Sequence, residues 1–287
     1  MHKTFVHLIK IELKKAIKNK FFVTTLMVGS IFALFSAWYM IDSYAAFEHQ
    51  NKVYTNNGNP MIQQFSLFNH WIGGEAFSLG YTLFFTLIPL MAVLPYSWSY
   101  FIENKIGYVK SIVTRSSKFQ YYLSKYIATF VSGGLVVLIP LIANILIVAC
   151  FVPAITPTKL YPLYYAVDHG SLWSGLFYTH PIIYVLLYLI LDFVFAGLFA
   201  TMSLAVSFFI KNRIAIILIP FFFILILHYS RTFLAYIYYN EISPLHYLHS
   251  TAIENYANGG MVLTQGLLFF ILTFGITMKL GVKREVF

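Results

Sequence analysis

The sequence predicts an all-α integral membrane protein with six transmembrane helices, and two observations carry that reading. Apolar residues make up 59% of the 287-residue chain and charged residues only 10%, against roughly 25% charged residues in soluble domains. Many of the apolar residues also fall in runs near the roughly 20 needed to cross a hydrocarbon core about 30 Å thick. Barrel strands would instead alternate polar and apolar residues in segments of about ten, a pattern this chain lacks.

Residues 1–20 are basic, with Phe5, Ile9, Leu13 and Ile17 recurring four apart. That spacing predicts a helix in the membrane interface, its apolar stripe at the acyl boundary and its lysines near anionic headgroups. The first span is predicted at 21–41, too long and too poor in a small-residue cleavage site for a signal peptide, so Met1 is expected to begin the mature chain. The second and third spans, 79–102 and 126–152, flank a charged interruption. The fourth and fifth, 181–210 and 214–230, are separated by Lys211, Asn212 and Arg213. Two charges so close together are expected to sit in a tight turn at the membrane surface; buried inside protein, they would reduce the count to five. The sixth span is 261–281, and residues 1–287 read as a single transmembrane domain. Pro89, Pro95, Pro140 and Pro220 fall inside spans, where neighbouring groups can satisfy the carbonyls they free.

The net charge of +9 is distributed by side rather than gathered into a patch for nucleic acid. With six spans, sixteen of the 19 Lys and Arg residues fall on one side: six in residues 1–20, five in the central loop, then Lys211, Arg213, Lys279, Lys283 and Arg284. Lys52, Lys159 and Arg231 fall on the other, together with Asp42, Glu48, Glu75, Asp168, Glu241 and Glu254. The positive-inside rule then places both termini in the cytoplasm of a cell-membrane protein. Trp38 and Trp98 lie near span ends, as amphipathic rings at an interface should. The single cysteine, Cys150, cannot form an internal disulfide and is expected to be a small buried apolar residue.

Three long outer connections, about 42–78, 153–180 and 231–260, are too short for independent domains and should form short helices over the outer mouth. The third, containing "RTFLAYIYYNEISPLHYLHS", is a candidate for a re-entrant segment. Chemical motifs are missing: there is no G-x-x-x-x-G-K-[ST], no H-E-x-x-H and no G-x-S-x-G, so no ATPase, metalloprotease or serine protease signature is present. His246 and His249 would share a helical face, but two ligands are too few for a metal site. His49, His70, His169 and His180 are scattered over the same side. Asp192 stands about 16 Å into the fourth run. An acid at that depth must face a partner, face a wet cavity or carry a proton, which makes it a helix-helix bond donor or a pathway residue.

The central loop, "FIENKIGYVKSIVTRSSKFQYYLSKYI", is the most informative stretch. Glu103 comes just after the second span, Gly107 follows four residues later, and Ile106, Val109, Ile112 and Val113 recur with helical spacing. "TRSS" then interrupts the pattern, and Ser117 is placed to cap a helix carrying Tyr122 and Lys125 into the third span. The arrangement Glu103, Gly107, short apolar helix, Arg115, Ser116, Lys125 resembles the cytoplasmic loop of type 2 ABC transporter permeases, with Tyr108 departing from the threonine often found there. The six-span topology and the connection containing Ser243 and Pro244 extend the resemblance. It implies an exporter permease without enzymatic activity of its own. It also implies a coupling helix seated on a separate ATPase that holds ATP and Mg, and a complex of two permeases, same or related, with two ATPases. Glu103, Ile106, Gly107, Val109, Ile112 and Arg115 would then make or position the coupling contact, and the sizeable outer connections favour an amphiphilic peptide or antimicrobial substrate. A secondary transporter or an intramembrane enzyme using Asp192 is the alternative.

Overall fold

A computed structural model describes residues 2–58, 65–158, 167, 170–233, 242–250 and 257–283. Their regular structure is helical, with no strand among them: α1 (His2–Ile17), α2 (Lys20–Asn56), α3 (Leu67–His70), α4 (Leu79–Val93), α5 (Ser99–Lys105), α6 (Tyr108–Val113), α7 (Lys118–Ala149), α8 (Ser174–Thr179), α9 (Pro181–Val206), α10 (Arg213–Ser230), α11 (Pro244–Tyr247) and α12 (Gly259–Lys283). Five of them, α2, α7, α9, α10 and α12, are long and apolar enough to cross a membrane. The predicted turn at 211–212 is present, and the Asn212 side chain caps α10 by accepting from the Ile214 N–H at 2.9 Å.

The predicted second span is divided. Its apolar run forms α4, breaks after Val93 and resumes as α5. Pro95 lies in the break, and a proline cannot donate the hydrogen bond that would continue a helix. Side chains satisfy the carbonyls there: Trp98 Nε1 donates to Leu94 O at 2.9 Å, Asn19 Nδ2 to Pro95 O at 3.0 Å, and Ser97 Oγ to Val93 O. Pro89, Pro140 and Pro220, by contrast, sit within continuous helices.

The first span also differs from its predicted length. α2 continues past residue 41 to Asn56, about 55 Å at 1.5 Å per residue, because "YAAFEHQNKVY" loses hydropathy without losing helix-forming residues. Cys150, expected to be buried, is exposed, since it caps the surface end of α7.

Two helices form the spine. Gly133 on α7 lies against α9 so closely that an added Cβ would come within 2.5 Å of the Ala200 Cβ and 3.0 Å of the Ala92 carbonyl. Small residues permit this approach between membrane helices. Around the spine, the segments carrying most of the basic residues gather at one end. Tyr100, Val109, Tyr121, Tyr122, Leu204 and Phe208 form one buried cluster there, edged by Met278 and Leu280. Arg213 stacks on Trp98 at 3.7 Å and on Phe21 at 4.7 Å.

At the opposite end the connections interlock. Leu67 N donates to Pro153 O at 2.9 Å, Ser250 N to Gly73 O at 2.7 Å and Ala257 N to Gly170 O at 3.0 Å. The Asn144 side chain holds the inserted turn to the bundle, accepting from Ile72 N at 2.9 Å and donating to Ala33 O at 2.8 Å. Short helices α3, α8 and α11 thus cover this end, as expected, and the 65–72 turn is buried like the 243–248 segment. Lys159, Pro162, Asp168, His169, Glu241, Glu254, Arg284 and the middle of the predicted re-entrant segment lie outside the described residues.

Candidate functional site

The central loop folds around Gly107. Its φ of 76° is left-handed, and nothing lies within 4 Å of a Cβ built there, so the demand for glycine is one of backbone conformation. The chain thereby leaves α5 and turns into α6. After α6 the Arg115 and Ser116 amides bond to Ile112 O at 2.9 and 3.0 Å, and Ser117 caps α7 as predicted, its Oγ accepting from Gln120 N at 3.3 Å.

The apolar stripe does not form one exposed face. Ile106 precedes the glycine turn and is 70% exposed, whereas Val109 is 1% exposed inside the cluster with Tyr100, Tyr121 and Tyr122. Ile112 is half-buried against that cluster. The kink at Gly107 interrupts the helical register that would have aligned them. Val109 therefore anchors α6 and has no surface for a second chain. The loop exposes Lys105, Ile106, Lys110 and Arg115, together with the polar residues Asn104, Ser111 and Thr114.

Beneath the loop lies a closed ring of four charges. Lys125 Nζ is 2.5 Å from Glu12 Oε2 and 2.7 Å from Glu103 Oε2; Lys15 Nζ is 3.1 Å from Glu12 Oε1 and 3.1 Å from Glu103 Oε1. Each lysine bridges both carboxylates, and the side chains of Glu12 and Lys125 are fully buried. Three tyrosines complete the shell. Tyr96 donates to Glu12 at 2.5 Å and accepts from Lys125 at 2.9 Å. Tyr121 donates to Glu103 at 2.7 Å, and Lys15 donates to Tyr108 at 2.8 Å. The ring joins α1, the α4–α5 break, α5, α6 and α7.

Its electrostatics follow from that geometry. Burial works against the Glu12 carboxylate, but Lys125 and then Lys15 outweigh it and hold its pKa below the ordinary value. Burial likewise opposes the Lys15 charge, and Glu103 and Glu12 together raise its pKa above the usual lysine range. Glu12 and Lys15 are thus charged at neutral pH, and the ring matches two carboxyl groups with two lysines. Such a ring is costly to leave incomplete, because removing one partner of a buried pair destabilises by about 3–5 kcal/mol.

Sequence reasoning placed Glu103 and Lys125 at functional positions but missed Glu12 and Lys15. One signal was available: Glu12 is the only acid among the first twenty residues, three positions before a lysine. In α1 the face packed into protein is Leu8, Glu12 and Ala16, while the Phe5, Ile9, Leu13 and Ile17 stripe beside it stays partly exposed.

Asp192 lies apart from this ring. It is fully buried on α9, and neither carboxylate oxygen has a hydrogen-bond partner among the described residues. The outer histidines do not assemble a metal site among the described residues. Arg231 Nη1 donates to His246 Nδ1 at 2.7 Å, His228 Nδ1 meets Ser243 Oγ at 3.0 Å, and His249 packs against the rings of Tyr81 and Phe85. Burial, reinforced by His246 and Arg231, depresses the His249 pKa to about 3.

Five long apolar helices, a shorter apolar one and interlocked connections define a multi-pass membrane protein. The chain belongs to DUF2705, a family of proteins of unknown function, whose family model matches residues 56–284. No curated protein matches it. α1 and nearly all of α2 precede the matched stretch, so the ring joins two residues inside it, Glu103 and Lys125, to two outside it, Glu12 and Lys15.

Proposed function

We propose that the chain is the membrane-spanning subunit of an ATP-binding cassette exporter, with the α5–α6 loop presented to a separate ATPase. The carrying observation is the loop's construction. Its exposed edge, Lys105, Ile106, Lys110 and Arg115, is fixed through Glu103 and Val109 to the end of α1 and the start of α7. A contact made on that edge would move the helices with it as one body, as coupled domain motion requires. In this reading the divided helix 79–105 is the second of six crossings, and the basic end with both termini faces the cytoplasm. Two such subunits, same or related, would pair with two ATPases that carry ATP and Mg, and the cargo would be an amphiphilic peptide or antimicrobial compound.

Extraction in mild detergent tests this directly: tagged chain should bring down an ATP-binding partner, and Ile106→Asp should release it while leaving the melting temperature unchanged. Recovery of the chain free of any such partner, from cells expressing its genomic neighbours, would refute the proposal. The buried carboxyl of Asp192, without a hydrogen-bond partner among the described residues, favours a second reading, proton-linked secondary transport or intramembrane catalysis through that acid. Under it, Asp192→Asn abolishes function and Ile106→Asp does not.

A further inference from the structure

Between α7, α9 and α12 lies a cavity of about 670 Å³, inside the range of about 300–1,000 Å³ that holds one small molecule. It runs along α12 from Val262 to Phe274, about 18 Å at 1.5 Å per residue, close to the 15 Å depth of one bilayer leaflet. Nearly every side chain lining it is aliphatic or aromatic. The Tyr126 hydroxyl at its inner end is already bonded to Thr273 Oγ1 at 2.9 Å, so an occupant meets no unmet hydrogen-bonding group there.

The outer end carries a second, independent feature. Trp173 is the single non-glycine residue with a positive φ among those described, at 58°, a conformation uncommon for a bulky side chain and often kept at ligand clamps. It places the indole at the mouth of the cavity, edge-on to Tyr188 at 5.5 Å. Tryptophan at that position suits the headgroup level of a bilayer.

From this geometry we infer that the groove is a binding site for one acyl chain of a bilayer phospholipid, with its headgroup beside Trp173. The alternative occupant, a helix of a second copy, is disfavoured by the lining. Membrane helices associate through small residues and cross-helix polar bonds, and here Gly266 is flanked by Leu263, Leu267 and Phe270. Gly266 opens the groove's floor: a Cβ there would meet only the Phe195 ring, at 3.6 Å, so the backbone accepts a side chain that would project into the space.

Native mass spectrometry of the detergent-purified chain should find a phospholipid retained by the wild type and lost from Gly266→Phe. Added phospholipid should raise the melting temperature of the wild type by several degrees more than that of the variant. Leu267→Trp, which narrows the groove from its rim, should weaken retention in the same way if Gly266→Phe fails to fold. Equal retention in wild type and both variants would overturn the inference. So would disulfide-linked dimers formed by Gly266→Cys in a Cys150→Ser background, since these would put a second copy in the groove.

Discussion

Lys125 is the residue on which the charge ring depends most, because it alone is fully buried and paired with both carboxylates at 2.5 and 2.7 Å. Lys125→Met should lower stability by about 3–5 kcal/mol, since Glu12 keeps a buried charge with only the half-exposed Lys15 to answer it. The double variant Lys125→Met, Glu12→Leu should be more stable than Lys125→Met alone, as read from unfolding in graded denaturing detergent. If the two losses simply added, the ring would not be acting as a unit. His70 supports a prediction at the other end. Burial, partly offset by its bond to the Ser66 carbonyl, lowers its pKa to about 4 from the ordinary 6.5. The unfolded chain therefore binds a proton that the folded chain refuses between those values. The stability that His70 contributes is complete above about pH 6.5, falls by roughly 1.4 kcal/mol per pH unit below it, and levels off near pH 4. His70→Asn should remove that share of the pH profile, leaving the share contributed by His249, whose more strongly depressed pKa carries it on to about pH 3.

The helices themselves divide into those legible in the sequence and those set by contacts it does not announce. Apolar runs located α7, α9, α10 and α12, because a membrane helix satisfies its own backbone and needs no partner to be recognised. The break in the second span was not legible. A proline inside an apolar run is compatible with a continuous helix, as Pro89 and Pro140 demonstrate, and the difference at Pro95 rests on Asn19, Trp98 and Ser97 supplying bonds from elsewhere. The same holds for Val109, whose spacing suited a surface stripe until Gly107 turned α6 inward. Gly107→Ala should cost about 1–2 kcal/mol from its left-handed backbone alone. Gly107→Asn should be milder, and limited proteolysis between residues 104 and 117 would show α6 loosening in the first and less in the second. At the spine, Gly133→Leu should prevent α7 and α9 from closing and abolish folded yield, because even a methyl at that position meets Ala200 at 2.5 Å.

On the scale of the whole molecule, the positive-inside count makes a test of its own. The segments it assigned to one side do gather at one end through Tyr100, Phe208, Met278 and Arg213, residues far apart in the chain. With that end in the cytoplasm, exposed Cys150 should react with a membrane-impermeant maleimide added to intact cells, and a cysteine substituted for Lys110 in a Cys150→Ser background should react only after the membrane is opened. Reversed labelling would invert the topology and withdraw the loop from any cytoplasmic ATPase.

The charge ring also has a meaning for inheritance. Glu103 and Lys125 lie within the stretch that the family model matches, whereas Glu12 and Lys15 lie before it. A buried lysine cannot easily outlast its counter-ion, so the two stretches are not free to diverge separately. Homologues whose leading helix lacks an acid at the position of Glu12 should have lost the lysine of α7 as well, and those keeping one should keep the other. That covariation, across more than a hundred residues of sequence, would record a contact that no single chain's spacing discloses.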